Sequence, residues 1–411
     1  MERQHAREFF SMYTQGLAPT DPDHRHGAPQ GPTHILHVFG RMDRGGAEMR
    51  TVELLRHLDP EYYRFDFCAL WGTRGELDDE IVRLGGKVHL LELNLAFPHR
   101  FVKLLREHDF SAVHSHVHYF SGFLLRLAAK AGTPQRIAHF RSTADGKGAN
   151  PWRRARNLIL KRWIDRYATN ILGVSRATLD GALGDGWRAD PRCEVIYSGI
   201  DYCFGDTQPD PRGVRAEFRL PTAATLLIHV GRMTAEKNHD RLMRIFSAFL
   251  RRAPNSYLLL VGALKEPVNS RVRKLLRDFA ITDRVIAADT RTDVRRLLLA
   301  ADLMVAPSLR EGLPGAVLEA AAAGTPVLAS DIPPMTEVAE YLPIKTMSLL
   351  EPDETWAAAC LELCEDKALP ARLLDAFSKS PFTMALSAAA FQDMYSSKSE
   401  SRRAVWDQGT A

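Results

Sequence analysis

The sequence has no run of about 18 apolar residues, the length a bilayer-crossing helix needs, so no membrane span is expected. The first thirty residues have no apolar core of the signal-peptide kind. Cysteine is scarce and odd in number. Cys68, Cys193, Cys203, Cys360 and Cys364 show no metal-like pairing and read as free thiols in a reducing cytoplasm. Charge of one sign is also lacking. The net +4 resides in residues 1–205, which carry 28 basic and 24 acidic side chains, against 26 of each in the remainder. That surplus is too small for a nucleic-acid protein. No G-x-G-x-x-G follows any apolar run and no P-loop is present, which excludes the two commonest nucleotide fingerprints. There is no internal repeat and no low-complexity tract.

What remains is a chain of 411 residues, ordinary in composition and long enough for two domains with sizeable cores. Short apolar runs bounded by Pro and Gly alternate with helical patterns, which reads as βαβ units and parallel sheets, an α/β fold. The most informative stretch is Ser308–Ser330, S-L-R-E-G-L-P-G-A-V-L-E-A-A-A-A-G-T-P-V-L-A-S. An apolar strand, 303–306, precedes it. A Gly-Pro-Gly loop and an alanine-rich helix closed by Gly324 follow, and a second buried strand spans 326–329. Glu311 is expected in the loop at the carboxyl end of a strand, where α/β sheets bind ligands, and Glu319 inside the helix. The helix start offers free N–H groups to a phosphate, and Glu319 is placed to accept hydrogen bonds from a pair of sugar hydroxyls.

Elsewhere, G-R-M-D-R-G-G-A-E (40–48) lies between a strand and a helix, an anion-binding layout in which Gly45 and Gly46 let backbone approach a ligand. In S-A-V-H-S-H-V-H (111–118), a strand would put His114, His116 and His118 on one face, which raises a metal reading. No carboxylate or thiolate completes the set nearby, and the strand is expected to end near His116. The next strand is R-I-A-H-F-R (136–141), followed by S-T-A-D-G-K-G. The basic helix 151–168, dense in Arg with Trp152 and Trp163, suits either an anionic membrane surface or an ordinary solvated face. Ser175 in V-S-R-A is a candidate N-cap. Residues 206–213 read as an interdomain linker. In G-R-M-T-A-E-K-N (231–238), Arg232 and Lys237 beside a helix start form a candidate diphosphate clamp.

Glu311-x7-Glu319 with its flanking E-G-L-P-G and A-A-A-A-G-T-P, together with G-G-A-E, V-S, Y-S-G-I-D (197–201) and G-R-x4-K, resembles the retaining glycosyltransferases of family 4, the exopolysaccharide and capsule enzymes among them. The resemblance covers about residues 33–395. It implies a GT-B fold, two doubly wound Rossmann-like domains facing across a cleft, with a C-terminal helix crossing back. The expected division is a disordered leader at 1–32, an acceptor-side domain at 33–205, a nucleotide-sugar domain at 206–382, the returning helix at 383–396 and a tail at 397–411. The implied reaction moves a hexosyl group from a nucleoside-diphosphate sugar to a hydroxyl of a glycan or lipid-linked acceptor. It needs no cofactor and no metal, and takes place in the cytoplasm or at the inner membrane face. Residue by residue, the resemblance sets His116, Gly45 and Gly46 toward the donor sugar and diphosphate. Arg232, Lys237 and the backbone of Leu313, Gly315 and Ala316 face the leaving diphosphate. Glu311 faces the sugar, Glu319 the ribose, and the backbone near Arg291 the base. Arg141 stands where relatives often carry histidine, so that histidine's role does not transfer, and Arg141 is expected to hold an acidic acceptor or its phosphate. Ser198 replaces the usual Asn of N-G-I-D. Two other readings fit the architecture, a non-hydrolysing nucleotide-sugar epimerase and a catalytically silent sugar-nucleotide binder.

Overall fold

The computed structural model describes residues 32–143, 151–201, 210–262 and 268–396. The expected leader up to residue 31, the tail from 397, residues 144–148 of S-T-A-D-G-K-G, the first half of the linker and Cys203 lie outside the described residues.

Apolar runs become strands because β-branched and aromatic side chains fit a pleated surface covered on both faces. Seven of them form one wholly parallel sheet: β1 (Thr33–Phe39), β2 (Tyr63–Ala69), β3 (Val88–Leu90), β4 (Ala112–Ser115), β5 (Gln135–Phe140), β6 (Asn170–Gly173) and β7 (Cys193–Val195). Their order is β3-β2-β1-β4-β5-β6-β7. The second sheet is also parallel and comprises β8 (Thr225–Val230), β9 (Ser256–Val261), β10 (Val285–Ala287), β11 (Leu303–Ala306), β12 (Val327–Ser330) and β13 (Lys345–Met347), in the order β10-β9-β8-β11-β12-β13. In each sheet the chain runs outward from a central strand, returns, and continues on the other side. That reversal leaves a crevice at the carboxyl ends of β1 and β4 in one sheet, and of β8 and β11 in the other.

The helices that position the site are α1 (Gly46–His57), α2 (Pro151–Tyr167), α3 (Arg176–Leu183), α4 (His239–Arg252), α5 (Gly315–Ala322), α6 (Pro333–Ala339) and α7 (Met384–Ser396). Gly324 ends α5 as anticipated. It takes φ +75°, donates to Ala321 O at 3.0 Å, and Thr325 N reaches Ala320 O at 2.9 Å. This pairing satisfies the last carbonyls of the helix. The second half of the expected linker is helical: Pro211–Glu217 starts where Asp210 accepts Gly213 N–H at 2.8 Å.

Helix α7 returns to the first sheet. Ile200 and Thr383 pair as an isolated parallel bridge, and Ser387 Oγ donates to Tyr197 O at 2.9 Å. Beyond that junction Ala388, Phe391, Met394 and Tyr395 join the core cluster of Ile35, Phe65 and Ile137. Strand alternation explains which side chains α7 covers. Ile35 and His37 on β1, Ala112 and His114 on β4, and Ile137 and His139 on β5 share one face, with the histidine at the carboxyl end each time. Among the described residues Cys68, Cys193, Cys360 and Cys364 are free thiols.

Candidate active site

In the second domain the loops after β8 and β11 touch. Leu309 N–H donates to Glu236 O at 2.7 Å, and Arg310 pairs with Glu236 at 2.8 Å. This contact brings Lys237 Nζ to 2.8 Å from Glu311 Oε1, both side chains being mostly buried. The expected clamp cation and the expected sugar carboxylate therefore sit together at the sheet's switch point. Arg232 is exposed beside them. Gly315 N–H donates to Leu313 O at 2.9 Å, so it is not the free donor that the sequence suggested. The fixed φ of Pro314 folds this turn back on itself. Among the described residues the N–H groups of Leu313 and Ala316, at the start of α5, have no protein acceptor. Arg291 lies in the loop after β10. Its guanidinium is occupied by Asp293 (2.8 Å to each oxygen) and by Glu217 at 2.9 Å, which leaves only backbone there to meet a base.

Across the cleft, β4 ends at Ser115, and His116 follows it directly. Both ring nitrogens of His116 are in use. Arg141 Nε–H donates to Nδ1 at 3.2 Å, and Nε2 lies 3.0 Å from His37 Nδ1. Arg141 also donates to Ser198 Oγ at 2.9 Å and Thr51 Oγ1 at 3.2 Å. Ser198, the residue that departs from the family pattern, is thus an acceptor for the other departing residue. Burial draws the Arg141 guanidinium down to about 10, opposed by Glu48. The Glu48 carboxyl is raised by burial, against the pull of its own N–H, Arg141 and Arg232. Glu48 therefore lies between a cation of each domain. It belongs to the G-G-A-E motif, and that was the signal available for it.

Gly45 packs against the end of the Glu48 side chain. A Cβ at Gly45 would lie 2.2 Å from Glu48 Oε2, whereas around Gly46 the space is open. Among the described residues the structure does not bring His114, His116 and His118 together as one set. The chain leaves the strand before His118, which takes φ 52° and meets Phe140 edge-on. His37, missed because it stands on another strand, takes its place. Ring nitrogens of His37, His114 and His116 lie within 4.8 Å of one another. These nitrogens are engaged by one another, by Tyr395 and His139, and by the Arg141 guanidinium beside His116. Burial lowers the pKa of all three, and of His139, well below the usual histidine range.

Contacts among the described residues join the walls of the cleft. Arg50 of α1 pairs with Glu319 of α5, so the expected ribose carboxylate is met by a first-domain cation. Ser175 caps α3 through Thr178 N at 3.1 Å and donates to Gly312 O at 2.7 Å. A Cβ on Gly312 would come within 2.1 Å of Arg141 O, so only glycine lets the Glu311 loop rest on the first domain. Buried Glu337 of α6 accepts Arg176 N–H at 2.8 Å and Tyr197 Oη–H at 2.8 Å. It acts as a second-domain carboxylate at the N-terminus of a first-domain helix.

Residues 44–202 match the model of Glycosyltransferase Family 4, and residues 224–366 that of Glycosyl transferases group 1. A Staphylococcus aureus capsular polysaccharide biosynthesis glycosyltransferase, CapH, is 29% identical over 337 residues, covering 81% of this chain and 91% of that protein. An Escherichia coli UDP-Gal:alpha-D-GlcNAc-diphosphoundecaprenol alpha-1,3-galactosyltransferase is 25% identical over 244 residues, 56% of this chain and 60% of its own. The crystal structure of Anabaena Alr3699/HepE in complex with UDP and glucose superposes with a TM-score of 0.76 at 17% identity, over 89% of this chain and 99% of that one. With the family's two halves matched in order on one chain and its two-sheet architecture reproduced, this protein belongs to glycosyltransferase family 4 and is a glycosyltransferase of GT-B fold.

Proposed function

We propose that the protein transfers a hexosyl group from a nucleoside-diphosphate sugar to an acceptor hydroxyl with retention at the anomeric carbon, in the synthesis of a capsular or exopolysaccharide. The observation that carries this is the Lys237–Glu311 pair at the β8/β11 switch point, flanked by Arg232 and by the N–H groups of Leu313 and Ala316, which have no acceptor among the described residues. A diphosphate entering that corner meets two cations and two donors while Glu311 remains beside it for the sugar hydroxyls. The bond from C1 to the diphosphate oxygen breaks as the acceptor oxygen bonds to C1 on the same face. The acceptor proton passes to the departing phosphate. The chief task is therefore stabilising charge on the leaving group, which Arg232, Lys237 and the two amides perform without a metal. Glu319 exchanges Arg50 for the ribose hydroxyls, and His116 exchanges Arg141 for a sugar hydroxyl. Arg141 is then released toward an anionic group of the acceptor.

The capsular relative supports the polysaccharide context, the Anabaena structure supports a uridine nucleotide, and the E. coli relative supports a lipid-linked acceptor. With such an acceptor the enzyme works at the inner face of the membrane, and α2 is the element that meets it. The test has two parts. A thermal-shift screen against UDP, GDP and ADP is expected to show a shift with UDP that EDTA leaves unchanged. Lys237→Ala is expected to cut turnover by about 100- to 1,000-fold, the size of losing one preorganised donor to a developing charge, while leaving the melting temperature near that of the parent. Near-normal turnover in that variant would remove the clamp assignment.

A further inference from the structure

Behind His116 lies a line of side chains that the sugar-transfer reading does not use. His116 Nε2 faces His37 Nδ1 at 3.0 Å, and His37 Nε2 faces Tyr395 Oη at 3.5 Å. Tyr395 Oη lies 2.6 Å from His114 Nδ1, and His114 Nε2 lies 2.9 Å from His139 Nδ1. All but His116 are buried. The proton positions follow from one end. Arg141 can only donate, so His116 Nδ1 must accept and the His116 proton sits on Nε2. That N–H donates to His37 Nδ1, which places the His37 proton on Nε2, directed at Tyr395 Oη. The tyrosine hydroxyl then donates to His114 Nδ1, and His114 Nε2–H donates to His139 Nδ1. The last proton, on His139 Nε2, has no partner among the described residues. A buried donor left unpaired costs free energy. The direction of the chain is thus imposed at the Arg141 end and is not the choice of the far end.

We propose that His37 is a positioning residue for sugar transfer: by accepting His116 Nε2–H it holds that ring with Nδ1 as its acceptor atom toward the cleft, and the Tyr395 hydroxyl on α7 keeps His37 in the accepting tautomer. In the free enzyme Arg141 Nε–H fills His116 Nδ1. A sugar hydroxyl donating to Nδ1 takes over that place when the donor binds. The proposal rests on the reading of His116 as a sugar contact. It gives α7 a task beyond covering the sheet, since the returning helix delivers the hydroxyl on which the His37 tautomer depends.

The first test is a histidine 15N spectrum of the whole wild-type enzyme, with the His116 signals assigned by their absence from His116→Gln. It is expected to show a protonated Nε2 and an unprotonated Nδ1 on His116. A proton on Nδ1 overturns the proposal whatever the activity. The second test compares His37→Phe, which fills the space with no acceptor, with His37→Asn, which returns an acceptor oxygen near the place of Nδ1. His37→Phe is expected to lower kcat about three- to tenfold, the range of one hydrogen bond, with KM for the acceptor unchanged. His37→Asn is expected to restore most of the loss. Equal losses in both, or none in either, overturn it. His116→Ala separates the two layers. Full activity there removes the sugar-contact reading and this inference with it. An inactive His116→Ala beside a fully active His37→Phe removes this inference alone.

Discussion

Arg141 shows how much of this site depends on a single planar fork. Its guanidinium reaches three neutral acceptors on three different elements: His116 after β4, Thr51 on α1 and Ser198 after β7. Glu48, lying between it and Arg232, opposes its loss of charge, together with the weakly acidic Tyr395 hydroxyl. A lysine carries the same charge but a single point donor on a flexible stem, and it cannot span the three acceptors at once. Arg141→Lys is therefore expected to behave as a severe substitution. Hydrogen bonds to a charged donor are worth about 1.5–3 kcal/mol each. Losing two of them predicts at least a tenfold fall in kcat/KM and a clear drop in melting temperature. Calorimetry and steady-state kinetics on the purified variant check both. A lysine variant with parental melting temperature and turnover would mean that the fork is not what orders this corner.

At the scale of elements, α2 carries the clearest expectation. The helix buries only Leu160 and Ile164. It exposes Trp152 at 85%, Leu158 at 59% and Ile159 at 48% among exposed arginines such as Arg154, Arg156 and Arg162. Apolar and basic side chains mixed on one outward face suit a headgroup layer better than plain water. Replacing Arg153, Arg154 and Arg156 with alanine is expected to weaken co-sedimentation with phosphatidylglycerol vesicles. Each basic residue is worth about 1 kcal/mol at such a surface. Unchanged sedimentation would return α2 to an ordinary solvated face. The elements themselves were largely legible in the sequence. Buried parallel strands such as 225–230 and 303–306 are continuous apolar runs with sharp Gly and Pro borders, and Gly324 marks a helix end unambiguously. Lys237, Glu311 and His116 were legible as positions because strand-end loops are where such folds bind ligands. Their partners were not. The pairing of Arg50 with Glu319 crosses 269 positions and that of Tyr395 with His114 crosses 281, and no local pattern encodes a contact made by docking one domain or one returning helix on another. The close approach of the Glu48 carboxylate to Gly45 was likewise not legible.

The whole molecule couples its stability to pH through histidines kept neutral by burial. His37, His114, His116 and His139 are held well below the ordinary range, and in the second domain burial takes His229 down to about 3 and His239 to about 4. In the unfolded chain all six titrate near 6.5. Below that value the unfolded chain binds protons that the folded chain refuses. The stability these groups contribute is therefore fully present above about pH 6.5 and is lost as pH falls through it toward the folded values. The limiting slope is about 1.4 kcal/mol per pH unit for each histidine, so six together approach about 8 kcal/mol per unit. A domain has only about 5–15 kcal/mol in total. The melting temperature is thus expected to be nearly level from pH 8 to 7 and to fall steeply between pH 6 and 5. Because four of the six lie under α7 or at the edge of the face it covers, the first domain should be the part whose transition moves furthest. His139→Gln removes one titrating ring at the end of the chain, where the Nε2 proton has no partner among the described residues to lose. The variant should show a shallower acid limb than its parent. A melting temperature that stays level down to pH 5.5 would show that these rings take up protons in the folded state, and would contradict the one-way chain of neutral imidazoles on which the ordering of His116 depends.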